Sequence, residues 1–133
     1  MILTVDEGSE VPIYEQLRDQ VVVAIAEGSL SEGDSLPSTR QLAADLGVNF
    51  HTVHKTYDLL RREGFVVLNR RAGAVIRRRS PADAPPPEFV VSWQRATKIL
   101  LAEAVAQGVP PAQIIERCST ILASFAVDRG VRS

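Results

Sequence analysis

The first third of the chain has apolar residues at helical spacing. They recur three or four positions apart, at Ile13, Leu17, Val21, Ala24 and Ile25. This spacing predicts a helix from about Pro12 to Glu27 with one buried face. Pro12 suits the first turn, where its missing amide hydrogen is not needed, and Gly28 suits the end, because glycine tolerates a left-handed cap.

Two shorter helical segments follow within "STRQLAADLGVNFHTVHKTYDLLRREG". Ser38 is placed to cap the first, and Gln41 three residues later completes a capping-box pattern. Gly47 ends that helix, and Asn49 is placed to cap the next one. Two helices joined by so short a turn indicate a helix-turn-helix motif. The inner face of the second helix is predicted to contain Val53, Tyr57 and Leu60.

The next segment, "FVVLNRRAGAVIRRR", has strand-forming residues on both sides of a basic turn that contains glycine. It predicts a two-stranded hairpin of residues 65–68 and 74–78. A hairpin directly after a helix-turn-helix motif is a wing. We therefore predict a mainly α fold with a small β wing, in which residues 1–79 form a winged helix-turn-helix domain.

Residues 80–88 hold four prolines in nine positions, which predicts an extended linker. Residues 89–133 then contain two helical patterns. Two isolated helices of this size cannot cover their own apolar faces, since units below about 40 residues usually need oligomerisation. We expect a two-helix dimerisation element in which two copies form a four-helix cluster. Its apolar positions are Phe89, Trp93, Leu100, Ile114, Cys118, Ile121 and Phe125.

The same apolar positions have a second interpretation, as the lining of a pocket for a small hydrophobic effector. Cys118 is interpreted as a small core residue, with redox sensing as the alternative.

The net charge of −1 conceals an uneven distribution along the chain. Residues 1–37 carry one basic and eight acidic side chains, a net −7, whereas residues 38–79 carry nine and three, a net +6. The remainder carries five of each. A cationic segment in a neutral protein is typical of a polyanion-binding face, because lysine and arginine displace the counterions condensed on phosphates. A solvated surface with no partner would have the same composition.

Several classes of function find no support in the sequence. The longest apolar runs, such as Val21 to Ala26, are far shorter than the ~20 residues that span a bilayer. No secretory signal is present at the N-terminus, so we expect a cytoplasmic protein without membrane contact. One cysteine cannot form an internal disulfide. We expect neither enzyme activity nor a cofactor, because no nucleophile with a base, phosphate loop or metal-ligand set is recognisable.

The order "PIYEQL", "GSLSEGDSLPSTRQLAADLGVNFHTVHKTYDLLRREGFV" and a basic hairpin resembles the DNA-binding domain of the GntR family of bacterial transcription regulators. The resemblance covers about residues 10–79. The short helical remainder resembles the YtrA subfamily, whose members pair as homodimers through two helices. The resemblance implies a homodimer on a pseudo-palindromic double-stranded DNA operator, with repression as the default. We further expect control by an unknown small ligand or partner that changes the spacing of the two domains about the linker.

The resemblance also implies site residues. Arg40 should contact a phosphate or a base, and the wing should reach the minor groove. Two positions depart from the family pattern: Phe50 stands where relatives often have arginine or proline, and Arg71 where the wing commonly has its first glycine. A relative's operator therefore does not transfer to this protein. The expected DNA-binding residues are Ser38, Thr39, Arg40, Asn49, His51, Thr52, His54, Lys55, Arg70, Arg71 and Gly73.

Each of these assignments has an alternative. His51 and His54 could ligate a metal, but zinc needs further ligands and no cysteine or acidic cluster accompanies them. Asn49 fits a purely capping role equally well. The arginines at 61–62 and 77–79 are explained as well by solvation as by phosphate contact. The alternative function is a protein-interaction adaptor, whose helical pair captures a partner helix while the winged domain binds DNA nonspecifically.

Overall fold

A computed structural model describes residues 2–125, which form two compact units divided between Arg78 and Arg79. The predicted fold class is confirmed: the described chain is mainly helical with one two-stranded antiparallel wing. The elements in order are α1 (Ile13–Glu27), α2 (Thr39–Leu46), α3 (Phe50–Arg62), β1 (Val66–Asn69), β2 (Gly73–Ile76), α4 (Pro87–Ala106) and α5 (Pro111–Ala123).

The core of the first unit forms where α1 and α2 pack against α3 and the wing closes over them. Leu17 of α1 and both Val53 and Leu60 of α3 are fully buried. Ala43 of α2 is also buried, since a small side chain lets two helices approach closely. The expected apolar faces of the helices are thus the faces that the structure buries. The other buried apolar residues are Val21, Ile25, Leu30, Leu36, Leu42, Tyr57, Val66, Ala74 and Ile76.

Two polar groups of α3 lie inside this core. Thr56 is 0% exposed, and its hydroxyl lies 3.0 Å from the carbonyl oxygen of Thr52 and 3.2 Å from that of Tyr14 in α1. The Tyr57 hydroxyl donates a 2.7 Å hydrogen bond to the carbonyl of Pro37, just before α2. Both hydroxyls are therefore satisfied, and they link α3 to α1 and to the segment just before α2.

The turn between α2 and α3 depends on Gly47. Its φ of 67° lies in the left-handed region, and its amide donates to the carbonyls of Ala43 and Ala44. A side chain there would meet no neighbouring atom, so the backbone conformation itself, rather than crowding, favours glycine. This turn sets α3 at its angle to α2.

The capping box expected at the start of α2 is only half formed. The Ser38 hydroxyl accepts a hydrogen bond from the Gln41 amide at 3.1 Å, as predicted. The Gln41 side chain, however, donates to Asp45 at 2.7 Å instead of reaching back to Ser38. An acceptor one helical turn ahead competes for the glutamine amide.

The wing has an additional edge that the sequence pattern did not predict. In the hairpin, Val66 pairs with Ile76 and Asn69 with Gly73. Ser35 forms an isolated antiparallel bridge with Val75, and the amide of Leu36 donates to the carbonyl of Ala74 at 2.8 Å. The loop before α2 is thereby attached to the wing.

In the second unit, neither α4 nor α5 contains a buried residue. α4 begins at Pro87, so the linker predicted over residues 80–88 is too long by two residues. Pro87 occupies the first helical turn, where proline is tolerated. Phe125 lies beyond the end of α5, and its amide donates to the carbonyl of Leu122. Among the described helices, none combines the length and apolar character needed to cross a membrane.

The Tyr57 hydrogen bond generates a stability prediction. Tyr57→Phe keeps the buried ring but leaves the Pro37 carbonyl without its donor, so the free energy of unfolding at neutral pH should fall by about 1 kcal/mol. Urea denaturation measures this loss. Tyr14→Phe is the matched control, because that hydroxyl makes only an exposed 3.3 Å contact with Glu15.

Alkaline pH provides an independent check of the same residue. Burial raises the pKa of Tyr57 from 10.0 to about 12, so the folded protein resists the phenolate that the unfolded chain forms. This contribution to stability is complete below pH 10 and is lost as the pH rises toward 12. Wild type should therefore lose stability over that range more steeply than Tyr57→Phe; parallel pH profiles would contradict the assignment.

Candidate nucleic-acid interface

The N-terminal end of α3 presents a group of exposed polar side chains. The side-chain oxygen of Asn49 accepts a hydrogen bond from the amide of His51 at 2.7 Å, which caps the helix. His51, His54 and Lys55 are exposed, and Thr52 is half-buried. Because the opposite face of α3 is buried in the core, these side chains form the outer face of the helix. Asn49 therefore caps the helix through its side-chain oxygen, and its side-chain NH2 group takes no part in that hydrogen bond.

Arg40, in the first turn of α2, extends this polar surface. It is exposed, and its guanidinium carbon lies 5.2 Å from the centre of the Phe50 ring. Within residues 2–125, no carboxylate lies within ion-pair distance of it. An arginine that contacts a ring rather than a carboxylate keeps its charge and its five donors available to an anion.

Phe50 also contacts both histidines. Its ring centre lies 5.3 Å from that of His51, edge to face, and 6.2 Å from that of His54. The structure thus brings together Arg40, His51 and His54 around one half-buried aromatic ring. The sequence marked Phe50 only as a departure from the family pattern, and only its apolar character next to polar neighbours could have indicated this role.

Lys55 contacts Tyr14, a residue that the sequence pattern did not indicate as part of this surface. Its ammonium lies 4.0 Å from the centre of the Tyr14 ring, a cation–π contact between α3 and α1. The carbonyl of Tyr14 also lies next to the buried Thr56 hydroxyl. Tyr14 therefore positions both the exposed and the buried side of α3.

The remaining predicted residues lie at the start of α2 and at the tip of the wing. The Ser38 hydroxyl is engaged as the α2 cap, and Thr39 beside it is half-buried. Arg70 and Arg71 are exposed between the two strands. Gly73 begins β2 with a φ of 73°, a left-handed conformation that favours glycine. The turn is closed by the Asn69 side chain, whose oxygen accepts from the amides of Arg71 and Ala72.

Several other basic residues of the cationic segment are engaged within the protein. Arg61 and Arg62 form ion pairs with Asp58 at 2.6 and 3.1 Å, and the hydrogen bond from Arg61 lowers the pKa of that carboxyl group. The Arg78 guanidinium donates to the carbonyl of Ile25 at 3.0 Å. Among the described residues, exposed cations without an ion pair therefore lie near the start of α2, the start of α3 and the wing tip, and Arg77 after β2 is also exposed.

The described residues do not bring His51 and His54 near further metal ligands. Across residues 2–125, no three histidine, cysteine, aspartate or glutamate side chains are grouped closely enough to hold a metal ion.

Comparison with known proteins identifies the chain. Residues 13–76 match the family described as "Bacterial regulatory proteins, gntR family". YtrA from Sulfolobus acidocaldarius, a GntR-family transcription factor of known structure, is 37% identical; the match covers 80% of this chain and 99% of that one, with a TM-score of 0.61. The chain belongs to the GntR family. It is a GntR-type DNA-binding transcription regulator of the YtrA-like group, and these relatives are named as transcription regulators rather than enzymes.

Two further relatives extend this comparison. The transcriptional repressor YtrA of Bacillus subtilis is 39% identical over 75 residues, which span 56% of this GntR protein but only 58% of the relative's length. A transcriptional antiterminator from Listeria monocytogenes has a TM-score of 0.82 at 25% identity, covering 92% of this chain and 93% of that one. The fold similarity therefore includes both units.

The residues predicted for dimerisation or an effector pocket all lie in the second unit. Phe89, Trp93 and Leu100 are 50%, 54% and 65% exposed, and Ile121 is 40% exposed. Cys118 is exposed rather than buried in the protomer. The last two, Ile114 and Phe125, are half-buried.

Arg40 generates a prediction about DNA affinity. Arg40→Ala removes an unpaired cation, so it should weaken binding to every duplex and reduce the dependence of affinity on salt by about one phosphate contact. Fluorescence anisotropy titrations at several salt concentrations measure both effects.

The matched control for Arg40→Ala is Arg61→Ala, which removes a cation already paired with Asp58 at the opposite end of α3. Its affinity and salt dependence should stay close to wild type. If the two variants bound DNA equally well, Arg40 would not belong to the interface.

Proposed function

We propose that this GntR protein is a homodimeric repressor that binds a pseudo-palindromic operator and releases it in response to an effector. Residues 1–79 bind DNA, with residues 89–133 providing the dimer interface. The observation that carries the proposal is the N-terminal end of α3, which presents polar and cationic side chains while its opposite face is buried. In helix-turn-helix proteins, this part of the second helix enters the major groove.

The chemistry of this surface suits duplex DNA. Arg40 and Lys55 supply charge for phosphates, and each is contacted by an aromatic ring rather than by a carboxylate. His51 and His54 offer ring nitrogens that can donate or accept, the requirement for reading base edges in the major groove. Arg70 and Arg71 on the exposed wing tip supply the cations that a minor-groove contact needs.

A second copy of the chain is the proposed partner of the two-helix unit. α4 and α5 expose ten large apolar side chains over the described residues while burying none. An apolar surface made of this many exposed side chains is unfavourable in water unless it is covered. Two copies would bury it in a four-helix cluster and bring two copies of α3 to one operator, as a two-fold symmetric site requires.

Repression and effector control complete the proposal. Repression by blocking polymerase access is supported by the repressor YtrA of Bacillus subtilis, to which the chain is 39% identical over 75 residues. Apolar side chains at the dimer interface, Trp93 among them, are the proposed binding surface for a small hydrophobic effector. Such a ligand would regulate binding only if it had different affinities for the DNA-bound and free dimers. The proposed compartment is the cytoplasm.

His54→Ala tests base readout. If His54 contacts a base, its removal should change the ranking of operator variants at one position in each half-site, by about 1–3 kcal/mol. Affinities for a panel of single-base operator variants measure this. A uniform loss over all variants would show that His54 does not read a base.

Leu100→Glu tests the dimer. Burying an unpaired carboxylate in an apolar interface is strongly unfavourable, so the variant should sediment as a monomer and lose about tenfold or more in operator affinity. Sedimentation velocity measures the assembly state. Since Leu100 is 65% exposed in the protomer, the fold itself should remain.

Gln94→Glu is the matched control for Leu100→Glu, because it introduces the same charge at an exposed polar position of α4. It should remain dimeric. A wild-type protein that sediments as a monomer, or a Leu100→Glu variant that stays dimeric, would overturn the proposed interface; the first result would favour the adaptor function.

A further inference from the structure

Phe50 is the first residue of α3, and it contacts a cation on the preceding helix. We infer that Phe50 is a positioning residue for DNA binding: its ring fixes the Arg40 guanidinium so that the donors of Arg40 face the nucleic acid. This inference rests on the proposed function, because it assumes that Arg40 contacts DNA.

The geometry supports a positioning role because the ring is itself held in place. Phe50 is half-buried and packs against the core of the first unit, which restrains its side chain. The ring of His51 approaches it edge to face at 68°, and the ring of His54 lies at 41° to it. The ring is thus contacted by the core and by two histidines of its own helix.

Arg40 lacks any other described anchor. It forms no ion pair among residues 2–125, and the contact with the Phe50 ring, 5.2 Å from its guanidinium carbon, is the interaction that restrains its side chain. A long side chain that is free in solution loses rotamer entropy when it binds a phosphate or base. A cation–π contact restricts the side chain before DNA is bound, so less rotamer entropy is lost on binding. The contact uses the face of the ring, and it leaves the N–H groups at the guanidinium edge free to bind DNA.

Position 50 of this chain carries an uncharged aromatic ring. The ring cannot donate to DNA, but it can orient the cation of the neighbouring helix. Any effect of the Phe50 ring on DNA affinity is therefore expected to require Arg40.

A double-mutant cycle tests the inference. Phe50→Leu keeps an apolar side chain but removes the ring, and should weaken binding about 3-fold, the size expected for one exposed cation–π contact. Phe50→Tyr keeps the ring and should bind like wild type. In the Arg40→Ala background, Phe50→Leu should have a smaller effect, since the group that it positions is absent.

The control is Phe65→Leu, which removes the ring of the other phenylalanine that lies under an arginine, Arg18, at the far end of α3. It should leave DNA affinity close to wild type. Equal losses from Phe50→Leu in the wild-type and Arg40→Ala backgrounds would overturn the inference. Affinities are measured for both a selected operator and a random duplex. Equal affinity of the wild-type protein for these two DNAs would refute the proposed function. The double-mutant cycle can be measured with either DNA, so it decides the role of Phe50 in both cases.

A second measurement needs no DNA and detects a purely structural effect. In the free protein, the side-chain protons of Arg40 should show an upfield ring-current shift by NMR, which Phe50→Leu abolishes and Phe50→Tyr preserves. Random-coil Arg40 shifts in the wild-type protein would overturn the inference. Thermal unfolding of each variant confirms that the domain remains folded during these comparisons.

Discussion

The burial of one face of α3 is the constraint on which the first unit depends. Val53 and Leu60 are fully buried where α3 packs against α1 and α2, and the Thr56 and Tyr57 hydroxyls are hydrogen-bonded to the carbonyls of Tyr14 and Pro37. Once this face is fixed, rotation of α3 about its axis is excluded, because it would expose apolar groups and leave buried hydroxyls unpaired. The polar face from Asn49 to Lys55 is therefore held outward by interactions that never touch DNA.

The two units differ in whether a single chain buries their apolar side chains. The first encloses its core within a single chain, with the bridge between Ser35 and Val75 closing the wing onto the loop before α2. In the second, α4 and α5 contain no buried residue and present Trp93 and Leu100 at their surface. In the proposed homodimer, a second copy of the chain would cover these side chains, and assembly would be coupled to DNA affinity because two copies of α3 would reach the operator together.

Much of the fold could be predicted from the sequence, because its signals are local. Helical periodicity, the caps at Ser38 and Asn49 and the glycine at 47 defined α1 to α3 within about two residues. What the sequence could not give were contacts between residues distant in the chain or between competing side chains: Lys55 over Tyr14, Tyr57 to Pro37, and Gln41 turning to Asp45. The family resemblance indicated which residues could contact DNA. The grouping of Arg40 with both histidines around Phe50 could not be predicted, because it depends on how α2 packs against α3.

In the proposed homodimer, two copies of α3 read one symmetric operator. The most direct test is to select genomic fragments bound by the protein and to map the protected bases on them by footprinting. We predict two inverted half-sites whose centres lie about 10 base pairs apart or a multiple of that, the spacing of major grooves on one face of the duplex. Fragments that share no sequence, or a single half-site protected by one protomer, would contradict it.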